Sequence, residues 1–307
     1  PTGWSRIDGP LQPHAYDLSK VRDKAQQAPQ PFLGNSDVCL WIYTPKEAMS
    51  FFARNADADE AWFIHEGKGL IETDFGPLQY RKGDYVIIPR GTTYRFYPEK
   101  SPQFYLLIES FSELEIPDRG QLGRHAFYDP GVIEVAQAKP STAGPTKGKE
   151  WEIRIKREGV WTSVFYPFNP LDIEGCKGDL FTWRLNLADI RPIISPRYHL
   201  PPSVHTTLTA SGFVICTFAP RPMETGDPKA MRVPFFHRNI EYDEVLFYHD
   251  GDFFSRTGIK PGMVTFHPQG IHHGPHPKAL KNQFTKEFTD EYAVMVDTLR
   301  PLKPMGI

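Results

Sequence analysis

Two stretches of this chain spell out one pattern twice, and a recurring pattern of strand and turn must build the same supersecondary unit twice. DADEAWFIHEGKG and EYDEVLFYHDGDF each set an acidic turn before a Glu, follow it with a strand-length apolar run and reach a Gly, so that Glu60 and Gly67 correspond to Glu244 and Gly251. A second matched pair lies downstream. KGDYVIIPRGTTY and PGMVTFHPQGIHH both place a Gly six residues before a Pro, another Gly two further on and a side chain three beyond that, Tyr94 in one copy and His273 in the other. Elsewhere the 30 prolines and 24 glycines of the 307 residues bound short β-branched and aromatic runs: VCLWIYT, DYVIIP, TYRFYP and FYLLIES early, WEIRIKR, FVICTFAP, MVTFHP and YAVMVDT late. Such runs between turn formers predict an all-β fold with few short helices, the helical turns falling in KEAMSFFARN and in residues 278–291. The expected divisions are an arm over 1–35, a first β-domain over 36–112, a linker rich in Pro, Gly and charge over 113–150, and a second β-domain over 151–307.

Lys and Arg number 35 against 37 Asp and Glu, a net charge of -2, which gives no electrostatic ground for nucleic acid or an anionic membrane surface as partner. Cys39, Cys176 and Cys216 are odd in number, far apart and without a CxxC pair, which suits a reducing compartment, so a cytoplasmic location is expected. No apolar run approaches the roughly 20 residues that span a bilayer, and PTGWSRIDGPLQP has no signal-peptide core.

The second half concentrates the metal-binding chemistry. His237 and Glu244 flank the polar turn NIEYD, and His267, His272, His273 and His276 form a later group. Side chains alternate along a strand, so the odd spacing from His237 to Glu244 requires a turn or bulge between them. Given that turn, two imidazoles and one carboxylate can be brought together from these groups. Glu241 and Asp243 share the turn, and the correspondence with Glu60 favours Glu244. Three donors on one face leave positions open for substrate and O2, a set that suits non-haem Fe(II). His272 should point to the opposite face from His273, and His65 and His249 are expected to mark turns after their strands. In the first half, Arg54 or Asn55 and Tyr94 stand at the corresponding positions.

The paired motifs resemble the cupin signature, and their presence in both halves makes the chain look like a bicupin, two jelly-roll barrels in tandem. The resemblance puts metal-binding His where the first copy has Arg54 or Asn55 and Tyr94, which implies that the first barrel holds no metal. NPLDIEGCKGDL, DIRPIISPRYHLPPSVHTTLT, FFHRN, DEVLFY and HHGPHP resemble homogentisate 1,2-dioxygenases, particularly bacterial ones. RNADADEAWFIHEGKG and RKGDYVIIPRGTTYRF extend the likeness over nearly the whole chain. The resemblance implies Fe(II) held by His237, Glu244 and His273, and cleavage of homogentisate with O2 to maleylacetoacetate in tyrosine breakdown. It places the family's acid/base His at His199 and its second pocket His at His267. It also implies a hydroquinone acid and O2 as partners and a closed homo-oligomer, trimer or hexamer. Tyr248, Phe253, His205 and His276 are candidates for lining the substrate pocket. Phe253 stands near the position of a Tyr that helps hold the substrate carboxylate in relatives, which leaves gentisate or another substituted hydroquinone as alternative substrates. Family members are longer at the N-terminus, so a leading segment is expected to be absent or to lie outside this sequence. Two further readings stay open. A bicupin isomerase or hydrolase-type enzyme would keep a fuller ligand set, against which Asn239 argues, and a pirin-type binding protein would not need an intact triad in one barrel.

Overall fold

The computed structural model describes residues 4–171, 178, 180–253, 258–275, 277–282 and 284–306. As the turn-bounded runs predict, it is built mostly of strands, with one short α-helix, Pro277–Asn282, among the described residues. The 278–291 stretch thus supplies helix, whereas KEAMSFFARN does not: its second half is the strand Phe52–Asn55, drawn out because Ala53 and Arg54 pair with Tyr94 and Thr93. No helix among the described residues is long and apolar enough to cross a membrane.

The chain forms two compact units, and neither is a continuous segment. One comprises Val21–Leu114, Asp129–Asp189 and Pro304–Ile307, the other Pro1–Lys20, Glu115–Tyr128 and Ile190–Lys303. The divisions read from the sequence at 113–150 and 151–307 therefore differ from the spatial ones. The physical reason is strand pairing: Trp151–Arg157 runs parallel to Phe52–Asn55, and Trp183–Asn186 pairs with Asp84–Ile88, so both complete sheets begun by the first half.

The first unit has two sheets. In one, Trp183–Asn186, Asp84–Ile88, Asp59–Glu66, Phe104–Ser110, Val38–Tyr43 and Gln30–Gly34 lie side by side in that order; in the other, Val160–Tyr166, Trp151–Arg157, Phe52–Asn55, Thr93–Pro98, Lys68–Thr73 and Gly76–Arg81. Alternation along Asp59–Glu66 gives Glu60, Trp62 and Ile64 a common face, and Trp62 and Ile64 join Tyr80, Val86, Phe96, Tyr105 and Leu107 in one buried cluster. Each large apolar side chain so buried contributes roughly 1.5–3 kcal/mol relative to exposure.

In the second unit a six-stranded sheet runs through His14–Asp17, Met263–His267, Asp243–Asp252, Asp290–Thr298, Phe213–Phe218 and Thr206–Ala210. Here Val245 and Phe247 are buried, and Glu244 and Tyr248 occupy the alternate positions, also buried. The matched glycines share a backbone requirement. Gly67 and Gly251 have φ of +102° and +100°, and a Cβ would stand 1.9 Å from Gln103 Oε1 in one and 2.0 Å from the Asp290 carbonyl oxygen in the other. Only Gly takes that backbone without strain or collision. His65 and His249, expected at turns, instead lie within strands and are buried, because the strands run on through them to these glycines.

Candidate metal centre

Two local pairings bring three donors together. His237 and His273 exchange backbone hydrogen bonds, each N–H donating to the other's carbonyl at 2.9 Å, which sets their imidazole centroids 4.3 Å apart. Glu244 lies near the start of its strand, opposite His267 on one side and Asp297 on the other. One ligand atom from each of His237, Glu244 and His273 falls within 4.8 Å of the other two, so the three could hold a metal ion. Burial opposes ionisation of Glu244, but the His267 hydrogen bond and the pull of His267, His273 and His237 outweigh it and bring the carboxyl down to about 2. A carboxylate kept ionised beside two imidazoles is a donor set that fits a divalent transition-metal cation.

The acidic turn of the repeat has its own task. Asp243 Oδ1 accepts from Gln269 N at 2.8 Å and Oδ2 from Leu302 N at 2.7 Å. Asp59 does the same in the first unit, accepting from Arg90 N at 2.8 Å and Leu114 N at 2.9 Å. In both copies the Asp pins the Pro-x-Gly corner and leaves the following Glu to face the interior. Glu241 is exposed. The choice among the three acids of the turn thus falls on Glu244 by geometry.

His267 Nδ1–H donates to Glu244 Oε1 at 2.6 Å, and its ring stacks on His273, 4.4 Å between centroids at 9°. It braces the cluster. His199 engages Glu224 Oε1 through Nδ1 at 3.1 Å, and Phe235 packs edge-on to both His199 and His237, with centroids 5.1 Å and 5.4 Å away. His205 is buried near His199, and burial, Arg221 and His199 together push its pKa down to about 4. Tyr248 bonds Thr265 Oγ1 at 3.0 Å, and Phe253 packs on the Tyr248 ring at 4.9 Å. His272 is exposed while His273 is buried. His276 and Cys176 lie outside the described residues.

Two buried acids escaped the sequence reading. Glu224 holds His199 and also accepts from Arg221 Nη1 at 3.4 Å; it sits in an irregular Pro-rich stretch with no periodic signal. Asp297 lies opposite Glu244, and burial together with Glu244 raises its pKa to about 8. The repeat could have revealed it, because Glu109 lies opposite Glu60 in the same way.

The equivalent positions of the first unit are differently furnished. Ala53, paired with Tyr94 as His237 is with His273, occupies the place of His237, one residue before Arg54 and two before Asn55, the alternatives expected there. Asn55 Nδ2 donates to Glu60 Oε1 at 2.9 Å and to Glu109 Oε1 at 2.7 Å; Trp62 Nε1 donates to Glu60 Oε2 at 2.9 Å and Trp41 Nε1 to Glu109 Oε2 at 3.0 Å. Tyr94 also hydrogen-bonds Glu60. The Lys156 ammonium pairs with Glu109 and lies over the Trp41 ring, 5.1 Å from its centroid. Where the second unit gathers imidazoles around its Glu, the first therefore has a network of neutral donors and one ammonium.

Residues 25–187, more than half of the chain, match the model of a domain described as homogentisate 1,2-dioxygenase N-terminal. The chain belongs to the homogentisate 1,2-dioxygenase family. Most of the matched span falls in the Val21–Leu114 and Asp129–Asp189 segments of the first spatial unit. Among its relatives is "Putative dioxygenase SSO1533" of Saccharolobus solfataricus, 33% identical over 82% of this chain and 65% of that protein. The homogentisate 1,2-dioxygenase of Rhodopseudomonas palustris is 25% identical over 80% of this chain and 57% of its own length. The chain thus spans less than two thirds of either relative. Among solved structures it is similar to a cupin 2 conserved barrel domain protein from Leptotrichia buccalis, with a TM-score of 0.41 and 10% identity over 93% of this chain and 96% of that one.

Proposed function

We propose that the chain is an Fe(II)-dependent, ring-cleaving dioxygenase of hydroquinone acids, with homogentisate as substrate and maleylacetoacetate as product. The observation that carries this reading is the His237, Glu244 and His273 cluster in a member of this family. Iron bound there would supply the site at which O2 and the ring hydroxyls meet, and only three protein donors are needed to hold it. The rest falls to the chain. His199 is the base for a ring hydroxyl: with Nδ1 occupied by Glu224, the imidazole presents Nε2 as its basic atom. Phe235, packed against both rings, fixes His199 relative to His237. His267 holds Glu244 in place. Tyr248, Phe253 and His205 are the described candidates for the pocket wall. Phe253 carries no hydroxyl for a substrate carboxylate, and this favours gentisate or another substituted hydroquinone as a second reading.

Association into a trimer or hexamer belongs to the same proposal. Val160–Tyr166 is the outermost strand of its sheet among the described residues and exposes Val160, Trp161 and Phe165, an edge that a neighbouring copy would cover. The buried free thiols Cys39 and Cys216 support a cytoplasmic setting. The test is metal analysis of the purified protein followed by oxygen uptake across a hydroquinone panel. Iron at one per chain and oxygen consumption with homogentisate are expected. Iron-loaded protein that consumes no oxygen with any member of the panel overturns the dioxygenase reading.

A further inference from the structure

The first unit contains a cavity of about 290 Å³, and it lies where the repeat would place a metal: Ala53, Asn55, Glu60 and Tyr94 all line it. Ala in place of the imidazole of His237 leaves room at the same point in the fold. That volume sits at the lower edge of the range that takes drug-sized molecules, which limits an occupant to about one ring. The walls are aromatic, with Trp41, Trp62, Phe51 and Tyr94 facing the space. Flat rings on several sides favour a planar occupant, held by offset or edge-on stacking.

The polar groups select its charge. Glu60 and Glu109 are buried and satisfied by Asn55, Trp62, Trp41 and Lys156, so neither is left to receive a cation. Arg154 is different. Its Nε–H donates to Glu152 at 2.7 Å and its guanidinium lies over Phe51, 3.8 Å from the ring centroid, yet it also lines the cavity. Among the described residues the terminal N–H groups of its fork have no hydrogen-bond acceptor, and that fork matches the two oxygens of a carboxylate. Lys156 is paired with Glu109 and Arg154 with Glu152, so the donors still open at the cavity are the terminal N–H groups of Arg154.

We propose that this cavity binds a one-ring aromatic carboxylate, with its ring between Trp41 and Trp62 and its carboxylate on the Arg154 guanidinium. The site is separate from the His237, Glu244 and His273 cluster and needs no metal. The test uses the full chain stripped of metal by a chelator and titrated with phenylacetate by calorimetry, with quenching of tryptophan fluorescence as a second readout. Saturable binding of one phenylacetate per chain is expected, with benzylamine and benzyl alcohol binding at least tenfold more weakly. Arg154→Gln should weaken phenylacetate binding about ten- to hundredfold, the loss expected for a hydrogen bond to a charged group. Ala53→Phe should fill the cavity and remove binding, and Arg154→Gln, near the surface, keeps the test decisive if that variant does not fold. His237→Ala and His199→Ala should leave the affinity unchanged. Absence of binding at millimolar phenylacetate, tighter binding of benzylamine, wild-type affinity in Arg154→Gln, or loss of binding in His237→Ala would each overturn the proposal.

Discussion

Glu60 and Glu244 occupy the same position of one repeat, and their surroundings drive them in opposite directions. Both are buried at the second residue of a strand, both receive an Asn amide, from Asn55 at 2.9 Å and Asn239 at 3.4 Å, and both face another acid across the ladder, Glu109 and Asp297. Around Glu244 stand His237, His267 and His273, and its carboxyl is pulled down to about 2. Around Glu60 stand Trp62, Tyr94 and Asn55, and burial wins, raising its pKa. A common backbone therefore sets where the carboxylate sits, and three or four neighbouring side chains set what it can do. In the first unit the cation of the network is a covalent part of the chain, Lys156; in the second the imidazoles leave that role open to a metal.

The comparison breaks most visibly at the ligands. His237→Ala, Glu244→Ala and His273→Ala should each bring the metal content of the protein to background while the far-ultraviolet circular dichroism stays that of the wild type. Glu60→Ala should leave it at one per chain, and an anomalous-scattering peak beside Glu60 would show that the two units had been distinguished wrongly. Next in size is His199→Ala, which should keep its metal and lose about 10²–10⁴ in turnover, the usual worth of a general base. Ligand loss and base loss are separated by measuring metal and rate on the same sample.

The reverse dependence should appear in the first unit. Glu109→Ala leaves the Lys156 ammonium buried without its carboxylate and should cost about 3–5 kcal/mol in urea unfolding, without change in metal content. Smaller again is a pH effect. Glu60 has a raised pKa when folded, so the folded state binds the proton more tightly, and stability should fall as pH rises above the unfolded carboxylate value of about 4.3 and level off above the folded one. Glu60→Gln should flatten that fall in urea midpoints measured from pH 5 to 8. An unchanged fall in the variant would mean that Glu60 is already ionised in the folded protein over this range. The smallest effect is expected of Phe253→Tyr, which adds a hydroxyl beside Tyr248 and should lower KM for homogentisate a few-fold with kcat unchanged.

Most of this was legible from the repeat. Its Glu, its Gly and its Pro-x-Gly corner each have one physical use, and the positive φ of Gly67 and Gly251 and the pinning role of Asp59 and Asp243 recur in both units. What escaped the sequence was non-local. Nothing near Trp151–Arg157 announces that it pairs with Phe52–Asn55 instead of with its own half, because the choice is made by which sheet edge is open. Register escaped too: Arg54 and Asn55 both looked like candidates for the His237 position, and only the pairing of Ala53 with Tyr94, matching His237 with His273, assigns it to Ala53. Glu224 was invisible for a third reason, since an acid in an irregular loop acquires meaning only from the His199 ring it meets.

The interleaving of the two units has a consequence for how the chain is made. Phe52–Asn55 emerges from the ribosome early, but its parallel partner Trp151–Arg157 follows only after the whole intervening stretch has been synthesised. His14–Asp17 waits longer still, for Met263–His267. Contacts so distant in sequence are slow to form because the loop must close before any pairing rewards it, and in the interval the open strand edges are available to other nascent chains. Both barrels are therefore completed late in synthesis, and a chain halted between the two halves of the repeat exposes an unfinished sheet.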